Sequence, residues 1–197
     1  MRRLVIATKN LGKAREVGRM LAGLPYEIVS LADYPDAPDV EETGDTFAQN
    51  AVAKASAYAD FTGELTLADD SGLEVDALGG APGVLSSRFA PTDAERNSKL
   101  LDLMKDIPDD KRTARFRCVV AIAQPGGKVR TCEGKAEGII SHSPKGDQGF
   151  GYDPVFYVPE LGRHFAELSA DEKDAISHRG KALEQAKAAL RSMAERD

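Results

Sequence analysis

The chain has 197 residues and a formal net charge of −6. That charge argues against a general nucleic-acid binder, because affinity for a phosphate backbone comes from clustered Lys and Arg. It leaves a small anionic ligand open, since a divalent metal can join carboxylates to phosphates.

With 42% hydrophobic and 29% charged residues, the composition is that of an ordinary globular protein. The length predicts one domain, residues 1–197, made of two lobes that share a core. Cys118 and Cys132 form no C-x-x-C pair and are expected as buried, reduced thiols. No apolar run is long enough to span a membrane. Met1-Arg2-Arg3 leads at once into strand residues rather than a signal segment. The expectation is a cytoplasmic protein without membrane contact.

Leu4 to Ala7 is a continuous apolar run, as expected for a strand covered on both faces. Val17, Met20, Leu21 and Leu24 then recur at i, i+3, i+4, i+7, one face of a helix that ends near Gly23 or Leu24, with Pro25 beyond it. Between strand and helix sit Thr8, Lys9, Asn10 and Lys13. The first amides of a helix have no intrahelical partner and that end is partly positive. A strand feeding it through a hydroxyl, an amide and cations predicts an anion cradle, most naturally for phosphate. The pattern is neither Walker A nor G-x-G-x-x-G.

Glu27 to Ser30 reads as a second strand, and residues 31–45 as a loop carrying Glu41 and Glu42. A helix is expected over about residues 46–61, with Phe47, Ala51, Ala55 and Tyr58 as its apolar stripe. Asn50 and Lys54 are four apart on one face of it. Leu65 to Ala68 is a strand expected to end in Asp69-Asp70-Ser71-Gly72. Ligands of open α/β sheets sit beyond strand carboxyl ends, so a carboxylate pair there marks a site. Gly79 to Gly83 is a turn. Thr92 to Glu95 is a capping box that starts a helix to about Lys105.

Thr113 to Ala123 is the longest strand-like run. Pro125-Gly126-Gly127 turns it into a second strand from Lys128 to Lys135, with Ala136 to Ile140 as its continuation. A loop follows, then Phe150-Gly151-Tyr152-Asp153. Ser169 to Glu172 is another capping box. Ser177-His178-Arg179 opens a last helix with Leu183, Ala186, Leu190 and Met193 as its stripe. The fold class predicted is α/β: a mixed twisted sheet flanked by helices, in two lobes with a central nucleotide-binding cleft.

A phosphoryl-transfer site needs a divalent metal on carboxylates, cations on the phosphate oxygens and a group to position water. Glu41, Glu42, Asp69 and Asp70 are candidates for the first role, and Lys9, Lys13 and Lys54 for the second. Spacing alone does not choose between Glu41 and Glu42, or between Asp69 and Asp70. Phe150 can lie under a base while Asp153 accepts hydrogen bonds from it.

In order along the chain, Ala7-Thr8-Lys9-Asn10-Leu11-Gly12-Lys13, Glu41-Glu42-Thr43-Gly44, Asn50-Ala51 with Lys54-Ala55, and Ala68 to Leu73 are followed by Gly79 to Gly83, Gly149 to Phe156 and Glu172 to Gly180. This ordered set resembles the inosine triphosphate pyrophosphatase family, hydrolases of non-standard purine nucleoside triphosphates such as ITP, dITP and XTP. The resemblance implies that Thr8, Lys9, Asn10 and Lys13 hold the triphosphate, with Lys54 neutralising it. Glu42 and Asp70 are implied as Mg²⁺ carboxylates, Asp70 also as general base, and Ser71 as a nucleotide contact. Phe150 is implied to stack on the base within the substrate-binding segment that includes Gly151 and Tyr152. Asp153, Lys173, His178 and Arg179 are implied to read and hold the base. It further implies Mg²⁺ as cofactor, a nucleoside triphosphate as the small-molecule partner, and a homodimer.

Overall fold

The computed structural model describes residues 2–195. Met1, Arg196 and Asp197, the ends of the domain expected over residues 1–197, lie outside the described residues. The elements are β1 (Arg2–Ile6), α1 (Leu11–Leu21), β2 (Tyr26–Ser30), α2 (Phe47–Thr62), β3 (Leu65–Val75), α3 (Asp93–Leu103), β4 (Thr113–Ala123), β5 (Val129–Ile140), β6 (Phe156–Val158), β7 (Arg163–His164), α4 (Ala170–Ile176) and α5 (His178–Ala194). The strands form one seven-stranded sheet in the order β2-β1-β3-β4-β5-β6-β7. β1 pairs parallel with β2 and β3, while β6 pairs antiparallel with β5 and β7. The mixed α/β class expected from the sequence is therefore the class observed.

The Cα positions divide the chain into two compact units. The first comprises Met1–Asp70, Cys118–Gly134 and Arg179–Asp197; the second, Ser71–Arg117 and Lys135–His178. Each has its own core. In the first, Leu4 and Ile6 of β1, Leu65 and Leu67 of β3, and Val120 and Ile122 of β4 meet Val17 and Leu21 of α1 and Leu183 and Leu190 of α5. Helices α1 and α5 thus bury the stripes that their 3.6-residue periodicity announces. In the second unit, Leu73, Val75, Leu100 and Met104 pack with an aromatic cluster. Phe116 and Phe165 stack with centroids 5.7 Å apart, and Phe156 tilts against both at 4.6 and 4.8 Å. Arg112 is buried in the second unit. Its guanidinium donates to the carbonyls of Met104, Ile107, Ile140 and Ser141, which fixes where β4 begins and β5 ends.

Local chemistry starts the helices where it was expected to. Thr92 and Glu95 form a reciprocal cap on α3, as Ser169 and Glu172 do on α4. Thr46 and Gln49 do the same on α2. Both cysteines are free and buried. Among the described residues, no helix is long and apolar enough to cross a membrane.

One expectation fails. The strand that begins at Leu65 does not stop at Ala68; β3 runs on through Asp69, Asp70, Ser71 and Gly72 to Val75. The carboxylate pair therefore lies in mid-strand rather than past a strand end. Successive strand side chains point to opposite faces, so the two carboxylates are sent to two different sets of partners.

Candidate active site

The first unit holds a cluster of charge around those two aspartates. Asn10 caps α1: its Oδ1 accepts the Lys13 N–H at 3.0 Å, and its own N–H donates to Thr8 Oγ1 at 3.2 Å. The cap fixes the first turn of the helix, and from that turn Lys13 Nζ reaches Asp69 Oδ2 at 3.1 Å. Lys9 pairs instead with the exposed carboxylate of Asp39. Arg179, at the start of α5 and 2% exposed, donates through Nη1 to Glu16 Oε2 at 2.5 Å and through Nη2 to Asp69 Oδ2 at 3.3 Å. Burial alone would raise the Asp69 carboxyl, but Lys13 and Arg179 outweigh it and hold the group well below the usual carboxylate range. Arg179 is likewise held fully charged: Asp69 and Glu16 more than offset the cost of its burial. Cys118 sits in this network with Sγ 3.9 Å from Asp69 Oδ2, and burial beside that carboxylate pushes its thiol up to about 12.

Asp70 faces helix α2. Asn50 Nδ2 donates to its Oδ2 at 3.0 Å, and Asn50 Oδ1 accepts the Gly44 N–H at 2.8 Å. One turn further on, Lys54 Nζ lies 2.5 Å from Glu42 Oε1, 2.7 Å from the Asp69 carbonyl and 3.8 Å from Asp70 Oδ1. Glu42 and Asp70 are thus both within 4.0 Å of one ammonium. Burial raises the Asp70 carboxyl above its ordinary range, with Lys54 and Lys13 acting against it. Lys54 is kept charged by Asp69, Asp70 and Glu42 despite its own burial. The structure places Glu42, rather than Glu41, on Lys54.

These oxygens fit a hard divalent cation. Mg²⁺ is usually held by one or two protein carboxylates, with substrate phosphates and water completing the octahedron. Glu42 and Asp70 supply two such carboxylates about a shared cation position. Among the described residues no group of three or more His, Cys, Asp and Glu could hold a metal unaided.

The second unit gathers a different group. Asp153 Oδ2 accepts the Phe150 N–H at 2.9 Å and Lys173 Nζ at 2.6 Å. Lys173 Nζ also lies 4.8 Å from the Phe150 ring centroid, within cation–π range. Asp153 and Lys173 are both buried. Gly149 permits the turn: its φ is +75°, and a Cβ there would run into the Asp153 carboxylate. His178 stacks on Phe116, with centroids 4.6 Å apart and rings 11° from parallel. Tyr152 OH donates to the Ser86 carbonyl at 2.8 Å, and burial raises its phenol. Ser71 follows Asp70 in β3 as the first residue of this unit.

Two of the expected residues thus have unexpected company. Arg179 is grouped with Asp69 and Glu16 in the first unit rather than with Phe150, Asp153 and Lys173. The Tyr152 hydroxyl is spent inside the second unit. Sequence reasoning missed Glu16 and left Asn50 without a role. A signal existed for Glu16, since Lys13, Glu16, Val17 and Met20 recur at i, i+3, i+4, i+7 and share a helix face.

The chain resembles known proteins over nearly its whole length. The model of the Ham1 family matches residues 4–189. A dITP/XTP pyrophosphatase of Desulforamulus reducens is 57% identical over 187 residues, covering 93% of each chain. A dITP/XTP pyrophosphatase of Geobacter sulfurreducens is 52% identical over 186 residues, covering 93% of this chain and 94% of its own. The solved structure of a HAM1 protein from Coxiella burnetii superimposes with a TM-score of 0.88 at 45% identity, covering 96% of this chain and 98% of that one. By class this is an α/β chain whose relatives at this identity are dITP/XTP pyrophosphatases. In particular, this chain belongs to the Ham1 family.

Proposed function

We propose that this protein hydrolyses non-standard purine nucleoside triphosphates, ITP, dITP and XTP, to the monophosphate and pyrophosphate, and so removes them from the nucleotide pool. The observation that carries the reading is the convergence of Glu42, Lys54, Asn50 and Asp70 on one position in the first unit. The names of relatives about half identical over most of the chain support the substrate class. The whole chain acts as one catalytic domain.

In this reading Lys13 and Lys54 take phosphate oxygens, with Thr8, Lys9 and Asn10 beside them at the start of α1. Glu42 and Asp70 hold Mg²⁺, which when bound spreads the charge that develops on the phosphates. Asp70, its basicity raised by burial, orients a water and accepts its proton as that water attacks the α-phosphorus. The α–β phosphoanhydride bond breaks and pyrophosphate leaves. Asn50 holds the Asp70 carboxylate in line. Lys13 and Arg179 keep Asp69 charged, Glu16 holds Arg179, and the Asp69 carboxylate holds Lys13 in place.

On the second unit Phe150 stacks on the purine. Lys173 and His178 meet its edge, Asp153 accepts from it, and Ser71 touches the nucleotide. Hypoxanthine and xanthine present an acceptor oxygen at C6 where adenine presents an amino donor. Donors aimed there are left unpaired by adenine, at about 1–3 kcal/mol for each buried group. A homodimer in the cytoplasm, without nucleic acid or membrane, completes the reading, and sedimentation of the full chain tests the dimer.

The deciding experiment is product analysis with Mg²⁺ and ITP, XTP, GTP or ATP supplied separately. IMP and XMP with pyrophosphate, and little turnover of ATP or GTP, are expected. Diphosphates with orthophosphate would place the cut at the wrong bond. Nucleotide binding without cleavage would move the protein out of the enzymes.

A further inference from the structure

The segment that carries Phe150 is gripped from outside as well as from within. Its inner grip is the Asp153 carboxylate on the Phe150 N–H. The outer grip comes from helix α3, whose Asp93 and Asn97 are four residues apart and share a face. Asp93 Oδ2 accepts the Gly151 N–H at 2.8 Å, and Asn97 Nδ2 donates to the Gly151 carbonyl at 2.9 Å. Both sides of one residue's backbone are therefore held by one helix face.

Two observations set this apart from ordinary loop packing. Asp93 is itself fixed: Arg96 Nη1 donates to its Oδ1 at 2.6 Å, and the Arg96 Nε donates to the Ala90 carbonyl at 2.8 Å. The Asn97 Oδ1, by contrast, is buried with no hydrogen-bond partner. A buried acceptor left unmade is costly, so the amide is kept for its donor end. A flipped amide would set oxygen against the Gly151 oxygen, so the carbonyl fixes its orientation. Gly151 has φ +63°, a left-handed conformation that tolerates little drift once its N–H and C=O are both engaged. The next residue back is Phe150, whose ring faces Lys173. A cavity of about 560 Å³ opens beside this segment, lined by Asn97, Leu101 and Phe150 among others, so the segment has room to shift if released.

We propose that Asp93 and Asn97 are positioning residues that set the Phe150 ring as a platform for the purine by clamping the Gly151 backbone. This rests on the reading of Phe150 as the base-stacking residue. Their role runs through the Gly151 backbone rather than through a contact with substrate. They act by reducing the conformations Phe150 must give up on binding, so they tighten the base and leave the phosphate chemistry alone.

The test uses the full chain and the variants Asp93→Ala, Asp93→Asn and Asn97→Asp. Steady-state kinetics give kcat and KM for ITP. Calorimetry gives the affinities for IMP, which has a base, and for inorganic tripolyphosphate, which has none. Asp93→Ala and Asn97→Asp are expected to raise the ITP KM and weaken IMP by about tenfold, the scale of one hydrogen bond, with kcat within about twofold of wild type. Tripolyphosphate affinity is expected to stay at the wild-type value. Asp93→Asn keeps an acceptor for the Gly151 N–H and recovers most of the loss. Asn97→Asp keeps the shape but sets a charged acceptor in place of the donor against the Gly151 carbonyl, so it breaks this half of the clamp even if Asp93→Ala does not fold.

If the variants keep wild-type KM and IMP affinity while wild type turns over ITP, the clamp is overturned and the functional reading stands. Equal weakening of tripolyphosphate and IMP would also overturn it, as general loosening of the fold. If wild type neither hydrolyses ITP nor binds IMP, the purine platform itself falls, and the clamp with it.

Discussion

The side-chain amide of Asn50 donates to Asp70 Oδ2 at 3.0 Å while its oxygen accepts the Gly44 N–H at 2.8 Å. The amide is thereby locked in one orientation, since each end faces a group of fixed polarity. Asp70 therefore meets a donor from α2 however its own proton is placed. Asn50→Ala is expected to lower kcat on ITP by about 10–100-fold, the usual effect of removing a residue that orients a catalytic carboxylate. Asn50→Asp should be at least as harmful, because it puts a second carboxylate against Asp70. Stopped assays at saturating ITP check both; a kcat within twofold of wild type would remove Asn50 from the machinery.

Lys13 carries phosphate and no information about the base. Lys13→Ala is expected to lower kcat/KM for ITP and XTP by the same factor, and to leave the ITP:GTP preference unchanged. Its ammonium also supports Asp69 at 3.1 Å, so a modest fall in stability should accompany the loss. Competition assays with mixed nucleotides read the ratio directly, and a changed ratio would count against the phosphate role.

Arg179 is buried against two carboxylates, Glu16 and Asp69. Removing one partner from a buried ion pair leaves an uncompensated charge, typically at about 3–5 kcal/mol. Arg179→Met is expected to destabilise the protein by that order in chemical denaturation. The double variant Arg179→Met with Glu16→Leu should recover part of the loss, because it removes the stranded Glu16 charge along with its partner.

Acid stability should be governed in part by Glu167 and Glu172. The first accepts the His164 N–H and Nδ1, and the second accepts from Arg163 and the Ser169 N–H. These bonds hold both carboxyls down at about 2, against an ordinary 4.5. A depressed folded-state pKa adds stability above the unfolded value and loses it as pH falls through the folded one. Their contribution is thus full above about pH 4.5 and fades toward about pH 2. Glu167→Gln and Glu172→Gln should each flatten the pH dependence of the denaturation midpoint in that window and leave its slope near pH 7 unchanged.

Much of this architecture is legible in the sequence, for identifiable reasons. The run Leu4 to Ala7 and the stripe Val17, Met20, Leu21 declare β1 and α1 by periodicity alone. The stripe Phe47, Ala51, Ala55, Tyr58 is buried as it was expected to be. The course of β3 was not legible. Asp and Gly favour turns and are rare in strands, so Asp69-Asp70-Ser71-Gly72 reads locally as a strand end. What keeps it extended is distant: β3 is hydrogen-bonded between β1 and β4, and its aspartates meet Asn50 and Lys54 on α2, Lys13 on α1 and Arg179 on α5. The pairing of Arg179 with Glu16 spans 163 residues, and no local pattern announces such a partner. The grip of Asp93 on Gly151 was hidden for the same reason, since in the sequence Asp93 is only the residue after a capping threonine.

The chain crosses between its two units inside β3, β4 and β5 and again between His178 and Arg179. That interleaving has a consequence for biosynthesis. Every residue of the second unit is made before Arg179, whereas the first unit's core is closed by Ala182, Leu183, Ala186 and Leu190 of α5. On the ribosome β1, β2 and α1, though made earliest, wait for the final helix before their core can close. A chain cut short before α5 therefore leaves the phosphate-side residues without the helix that closes their core.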